Sequence, residues 1–165
     1  DGSVSVIDTQ ALSQVARIPV GTAPVQVGFT PSGDQVYVSL RDENRVAVID
    51  TSTREVTNRI EVGPNPIQMF ATPDGAFVYV ANQGTDAEPN NTVSVIDTAT
   101  GQVVKTLTTG GGAHGVSASI DGAFVFVTNI ADDTVSIIDV GSQEVVKTVP
   151  VGDRPNGIVY GGSSR

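Results

Sequence analysis

Hydrophobic and polar residues alternate along this chain in short runs that return at a fixed spacing. Valine and isoleucine alternate with serine or alanine and end in an aspartate at residues 4–8, 46–50, 93–97 and 135–139. A glycine follows each of these aspartates after 13 residues, at Gly21, Gly63, Gly110 and Gly152. Successive aspartates are 42, 47 and 42 residues apart, so the chain consists of one structural unit seen four times.

Each unit contains the pattern of four short strands, here called A to D. Strand A is predicted at residues 25–30, 67–72 and 116–119, strand B at 35–39, 77–81 and 124–128, strand C at the runs that end in aspartate, and strand D at 15–20, 57–62, 104–109 and 146–151. β-Branched and aromatic residues dominate, Pro- and Gly-rich turns separate the runs, and no stretch has a helical period. Units of four strands at this period are typical of propeller blades, whereas a β-solenoid has shorter repeats. The sequence therefore predicts an all-β fold, a β-propeller of four-stranded antiparallel blades.

The order of the strands gives the blade boundaries. Residues 1–21 supply strands C and D of a partial blade, residues 22–63, 64–110 and 111–152 supply three complete blades, and residues 153–165 supply a closing strand A. Strand B of the closing blade is missing from this sequence, so we expect the chain to be part of a larger ring. A four-bladed ring with one incomplete blade is the alternative. Its unpaired sheet edges would allow self-association.

The ends of strand B carry a family resemblance. Residues 79–82 read Tyr-Val-Ala-Asn and residues 126–129 read Phe-Val-Thr-Asn; with the turn at 73–75 and the strand C runs they resemble the YVTN-repeat β-propellers. The resemblance covers nearly the whole chain and implies an exported or surface-layer type of protein, often with about seven blades. It also links the chain to lactonase-like and haem d1 propellers. Leu40 departs from the motif by standing where asparagine is expected, which predicts an altered turn in that blade.

Charge and composition restrict the partners. Eighteen acidic against nine basic residues give a net charge of −9, which disfavours nucleic acid and anionic membranes. The chain has no cysteine, hence no disulfide or thiolate metal site. No apolar run approaches the roughly 18 residues that a membrane span needs.

Alignment of the units places a few polar residues at the central channel, where strand A begins. The candidates are His114, Asn156, Gln26 and Gln68. His114 is the only histidine, and an imidazole could be an axial haem ligand, a metal ligand or a general base. The structural interpretation is a turn-forming channel residue. One histidine without cysteine or an acidic neighbour cannot itself form a three-ligand metal site.

A five-residue insertion lies between strands B and C of the second complete blade. Asp86, Glu88, Asn90 and Asn91 in this segment are candidates for binding through a loop. Their oxygen atoms suit a hard cation such as Ca²⁺, but the spacing is not that of an EF-hand. We expect a solvated loop that is available to partners.

The recurring aspartates Asp8, Asp50, Asp97 and Asp139 predict structural roles, as acceptors for N–H groups in the turns that follow strand C. No catalytic motif follows a suitable strand, so we expect no catalytic residue, no metal and no cofactor. The resulting hypothesis is a non-catalytic binding or scaffold module of an extracellular, cell-surface or periplasmic protein, which recognises a protein, glycan or small ligand. The alternative is part of an enzyme or redox propeller that uses His114.

Overall fold

The computed structural model describes residues 2–161, and in this part of the chain almost all regular structure is β-strand. The strands, β1 to β14 in chain order, are Ser3–Asp8, Ser13–Pro19, Pro24–Phe29, Gln35–Leu40, Arg45–Asp50, Glu55–Glu61, Pro66–Ala71, Phe77–Gly84, Pro89–Asp97, Gln102–Thr108, Ala113–Ala118, Phe124–Asn129, Thr134–Asp139 and Glu144–Pro150. A single turn of 3-10 helix, Arg41–Glu43, lies between β4 and β5. No helix in residues 2–161 is long and apolar enough to cross a membrane.

The strands form one two-stranded and three four-stranded antiparallel sheets. Strands β3 to β6, β7 to β10 and β11 to β14 each pair in sequence order, and β1 pairs with β2. These sheets are three complete blades, called blades 1, 2 and 3 from here on, preceded by a half-blade made of strands C and D. The predicted all-β propeller fold is confirmed, and its strands A to D are the four strands of each four-stranded sheet.

Apolar side chains between successive blades form the core. Strand β8 shows the arrangement: Val78 and Val80 pack towards blade 1, whereas Tyr79 and Ala81 pack towards blade 3. Alternate residues of a strand point to opposite faces of its sheet, so a sheet buried on both faces needs a nearly continuous apolar strand. A third apolar cluster joins Ile18 and Val20 of the half-blade to Val38 and Leu40 of blade 1.

Turn residues fix where the strands begin and end. The predicted role of the recurring aspartates is confirmed: Asp50 Oδ1 accepts hydrogen bonds from the backbone N–H groups of Ser52 at 2.9 Å and Thr53 at 2.8 Å. Asp8, Asp97 and Asp139 accept equivalent bonds. These hydrogen bonds lower the pKa of all four exposed carboxyl groups.

The A–B turns also follow the prediction. Gly33, Gly75 and Gly122 have φ of 80°, 74° and 72°, in the left-handed region that glycine adopts without strain. A hydroxyl side chain at the end of strand A accepts a hydrogen bond across each turn; in blade 2, Thr72 Oγ1 accepts from the N–H of Phe77 at 3.1 Å. The turn is therefore fixed by local sequence.

Two predicted segments differ from the structure. The insertion is not simply a loop, because β8 continues to Gly84 and β9 begins at Pro89, which leaves 85–88 as the turn of a longer hairpin. A closing strand A was expected within residues 153–165, but no residue of 151–161 belongs to a strand, and 162–165 lie outside the described residues. A strand is stabilised by its pairing, and in the described chain no strand B accompanies this segment.

Leu40 precedes the 3-10 helix Arg41–Glu43, which the corresponding turn of blade 3 does not contain, and it also changes the interior of its blade. The connections 40–45 and 129–134 have the same length, and each contains a left-handed residue, Asn44 or Asp133. The larger change in contacts lies inside the sheet. In blade 3 the Asn129 amide donates to Ser136 Oγ at 2.9 Å, whereas in blade 1 the buried Leu40 lies in the apolar cluster with Ala47. An apolar pair thus replaces a hydrogen-bonded pair.

Removing part of the core between blades should destabilise the protein strongly. Ile96 is fully buried in the cluster shared by blades 1 and 2. We expect Ile96→Ala to lower the free energy of unfolding by about 2–5 kcal/mol, because it removes buried surface and leaves a cavity. The control Val104→Ala, on the outer strand β10 with 52% of the side chain exposed, should change it by less than about 0.5 kcal/mol. Urea denaturation measures both, and similar losses would contradict the assignment of the core.

Candidate functional site

An apolar groove runs along the innermost strands of the three complete blades. It has a volume of 580 Å³ and is lined by β3, β7, β11, the turns that follow them, and residues 159–160. Its exposed large side chains are Val27, Phe29, Phe70, Ile120, Val159 and Tyr160. The strands place these residues together because strand A is the innermost strand of each blade, so the A strands of neighbouring blades line one concave surface.

Several polar groups of the groove already have protein partners. Gln26 Oε1 accepts a hydrogen bond from the backbone N–H of Met69 at 2.5 Å. Ser117 Oγ accepts one from the N–H of Tyr160 at 3.1 Å. Since both bonds join neighbouring blades or segments, these groups hold the groove together, and the surface left for a ligand is mainly apolar.

Tyr160 is held in place by a second contact. Its ring stacks on Phe126, with 5.7 Å between ring centroids and an interplanar angle of 16°. The stack and the hydrogen bond to Ser117 fix the segment that follows blade 3 against that blade. Tyr160 therefore forms part of the wall of the groove although it belongs to no strand.

The four predicted channel residues occupy three different environments. Gln26 lines the groove, as described above. Gln68, one blade further on, is half-buried and does not line it. His114 and Asn156 contact each other at the start of strand A, and neither lines the groove. Of the four predicted channel residues, the structure thus brings only His114 and Asn156 into contact with each other.

The contact between His114 and Asn156 determines the state of the imidazole. Nδ1 lies 2.7 Å from the carbonyl oxygen of Asn156, and because a carbonyl can only accept, Nδ1 carries the proton. Burial lowers the pKa of His114, and the hydrogen bond to Asn156 offsets this only in part. At neutral pH the ring is therefore uncharged, with its lone pair on Nε2.

The insertion side chains do not converge on a common point. The Asp86 carboxylate lies 3.6 Å from the Arg154 guanidinium, an exposed ion pair that connects the hairpin tip to the segment after blade 3. Asn90 Oδ1 accepts from the N–H and hydroxyl groups of Thr92. Asn91 and Glu88 accept through their backbone carbonyls, from the N–H groups of Thr109 and Thr85. In residues 2–161 no group of three or more histidine or acidic side chains is placed to hold a metal ion.

Acidic and asparagine side chains in two B–C turns have a role that sequence reasoning missed. In each turn, two adjacent side chains accept hydrogen bonds from backbone N–H groups. These N–H groups belong to the connections that follow strand D of one blade and lead to the next strand A. In blade 3, Asp132 Oδ2 accepts from the N–H of Gly111 at 2.7 Å and Asp133 Oδ1 from that of Arg154 at 2.8 Å. Glu43 and Asn44 make the corresponding contacts in blade 1. The sequence did offer a signal for this role, because the residues of both turns have the same spacing to the aspartate that ends strand C.

The aromatic residues of the groove were also missed. Phe29 and Phe70 lie in strands A at positions that differ between blades, so the repeat gave no signal for them. Their exposure is the informative feature, because large aromatic side chains gathered on an open concave surface are typical of binding sites.

Blades joined by shared apolar cores around an inner groove define this chain as a β-propeller protein. Comparison with protein families agrees with that class. The YNCE-like beta-propeller model matches residues 71–162, and the Cytochrome D1 heme domain model matches residues 1–83. Each match covers half of the chain or more, so the chain belongs to the β-propellers that these two models describe.

A solved structure of Kuenenia stuttgartiensis hydrazine synthase is similar to this chain. The TM-score is 0.83 and the sequence identity 28%, over 89% of this chain and 42% of that chain. This chain thus spans less than half the length of that relative. The search of curated proteins gave no match.

Proposed function

We propose that this chain is a non-catalytic binding module of an exported or cell-surface protein, which holds a ligand in the groove along its inner strands. The observation that carries the proposal is the 580 Å³ groove with the exposed aromatic side chains Phe29, Phe70 and Tyr160. The resemblance to YVTN-repeat proteins supports export or surface location. Because the polar groups of Gln26 and Ser117 are engaged, burial of apolar surface would supply most of the affinity.

The chemistry of the groove favours a ligand with an apolar or aromatic face. This includes a small apolar molecule, a sugar ring that stacks on an aromatic side chain, or an apolar side chain of a protein partner. The net charge of −9 disfavours strongly anionic ligands. A neutral apolar dye is therefore a suitable probe.

Binding of Nile red, measured by its fluorescence, tests the groove. Phe70 lines the groove and is 43% exposed, so Phe70→Ala removes ligand contacts with little effect on folding. We expect this variant to bind the dye about fivefold to tenfold more weakly, because the dye loses much of its contact with one aromatic side chain. Phe124→Ala is the matched control, since Phe124 is 36% exposed and lies outside the groove. Equal weakening by both substitutions, or by neither, would contradict the proposal.

A second candidate is a haem-binding or redox propeller. It is favoured by the match to the Cytochrome D1 heme domain model and by His114, whose Nδ1 is held by a backbone carbonyl as in many histidine ligands. The remaining residues fit a haem poorly. His114 does not line the groove, and among the described residues no lysine or arginine lines it to receive the propionates. The chain therefore offers one axial ligand rather than a complete haem pocket.

Titration with haem separates the two candidates. If His114 is an axial ligand, the protein should shift the Soret band of added haem, and His114→Ala should abolish the shift. Gln68→Ala is the control, because Gln68 lies near the start of strand A in blade 2 and is not the residue that holds the His114 ring. A spectrum that His114→Ala leaves unchanged would contradict haem ligation by this residue.

A further inference from the structure

The side-chain amide of Gln26 is held by the neighbouring blade at its oxygen end only. Oε1 accepts the hydrogen bond from the backbone N–H of Met69, and an NH₂ group could not replace it there because both groups would be donors. This bond therefore fixes which end of the amide is the nitrogen. In residues 2–161 no hydrogen-bond partner is found for Gln26 Nε2. It is also not among the buried side-chain atoms that lack a partner, so Nε2 is an accessible donor.

The backbone of Gln26 is fixed as well. Its N–H donates to Ser39 Oγ at 3.1 Å, and the Ser39 hydroxyl donates in turn to the carbonyl oxygen of Ile67 at 2.7 Å. Ser39 is fully buried in β4, and Ile67 belongs to β7 of blade 2. Gln26 is thus tied to blade 2 through both its backbone and its side chain. A ligand that uses Nε2 would not have to order this side chain first.

The Gln26 donor belongs to a wall of the groove that is otherwise apolar. Val27 and Phe29 of the same strand and Phe70 of blade 2 line the groove beside it. A ligand that covers Nε2 removes water from it. Without an acceptor in return, the ligand would leave a donor unpaired, and this lowers affinity. The apolar wall therefore supplies affinity, and Gln26 supplies discrimination.

The other blades do not repeat this donor in the groove. Gln68 occupies the equivalent position in blade 2 and does not line the groove. In blade 3 the equivalent residue is Gly115, which has no side chain, and its N–H is bonded to Thr128 Oγ1 at 2.7 Å. The Gln26 amide thus marks the blade 1 side of the groove.

We propose that Gln26 determines the ligand class of the groove, which is a small neutral aromatic molecule with a carbonyl oxygen. Nε2 of Gln26 donates to this oxygen, and the aromatic ring covers the apolar wall. An apolar side chain of a protein would leave Nε2 unpaired, and a sugar would bury several hydroxyl groups against apolar residues. The net charge of −9 disfavours an anionic compound. This inference rests on the function proposed above and narrows its ligand.

Fluorene and fluorenone are the probes, because they share one planar ring system and only fluorenone has a carbonyl group. Equilibrium dialysis gives a Kd for each, and the ratio of the fluorene Kd to the fluorenone Kd measures the contribution of the carbonyl. Gln26→Glu keeps an oxygen for the Met69 N–H and replaces the Nε2 donor by an acceptor. We expect it to lower the ratio by about tenfold, through weaker binding of fluorenone.

Gln68→Glu is the matched control, because it makes the same change outside the groove and should leave the ratio as in the original protein. An unchanged ratio in Gln26→Glu, or an equal fall in Gln68→Glu, would overturn the inference. If Phe70→Ala still weakens Nile red binding in that case, the proposed function stands without this ligand class. Absence of binding of Nile red, fluorene and fluorenone alike would overturn both.

Discussion

The structure depends on burial of apolar side chains between successive blades. Strands β4 and β8 turn alternate residues towards the sheet before them and the sheet after them, as Val80 and Tyr79 do in β8. One blade alone would leave both apolar faces in water, so the blades are stable only when stacked. The inner groove follows from this stacking, because it places the A strands of neighbouring blades side by side.

The distribution of charge follows from the turns. Aspartates at the ends of strands C, and the acidic side chains of the B–C turns, accept hydrogen bonds from backbone N–H groups. Much of the acidic charge therefore belongs to residues that hold the strand connections in place and do not line the groove. Acidity alone does not identify a partner for this protein. The groove, which has no charged lining residue among those described, is the better guide to its ligand.

Features fixed by local sequence could be predicted, and features fixed by distant partners could not. The turns at Gly33, Gly75 and Gly122 and the role of Asp50 were predicted because a few adjacent residues determine them. The extension of β8 to Gly84 depends on pairing with Pro89, and the position of Tyr160 depends on Phe126 and Ser117. His114 was identified as a channel candidate by its place in the repeat. Its contact with Asn156 required knowledge of how the last segment packs.

Hydrogen exchange of the backbone amides, resolved by residue, is the most direct test of the stacked-blade account. Strands β4 and β8 are paired on both edges and covered on both faces, so their amides should exchange most slowly. The amides of the half-blade, β1 and β2, should exchange fastest among the strands. Equal protection of the half-blade and of β8 would contradict the account, because stacking would then not determine which strands are stable.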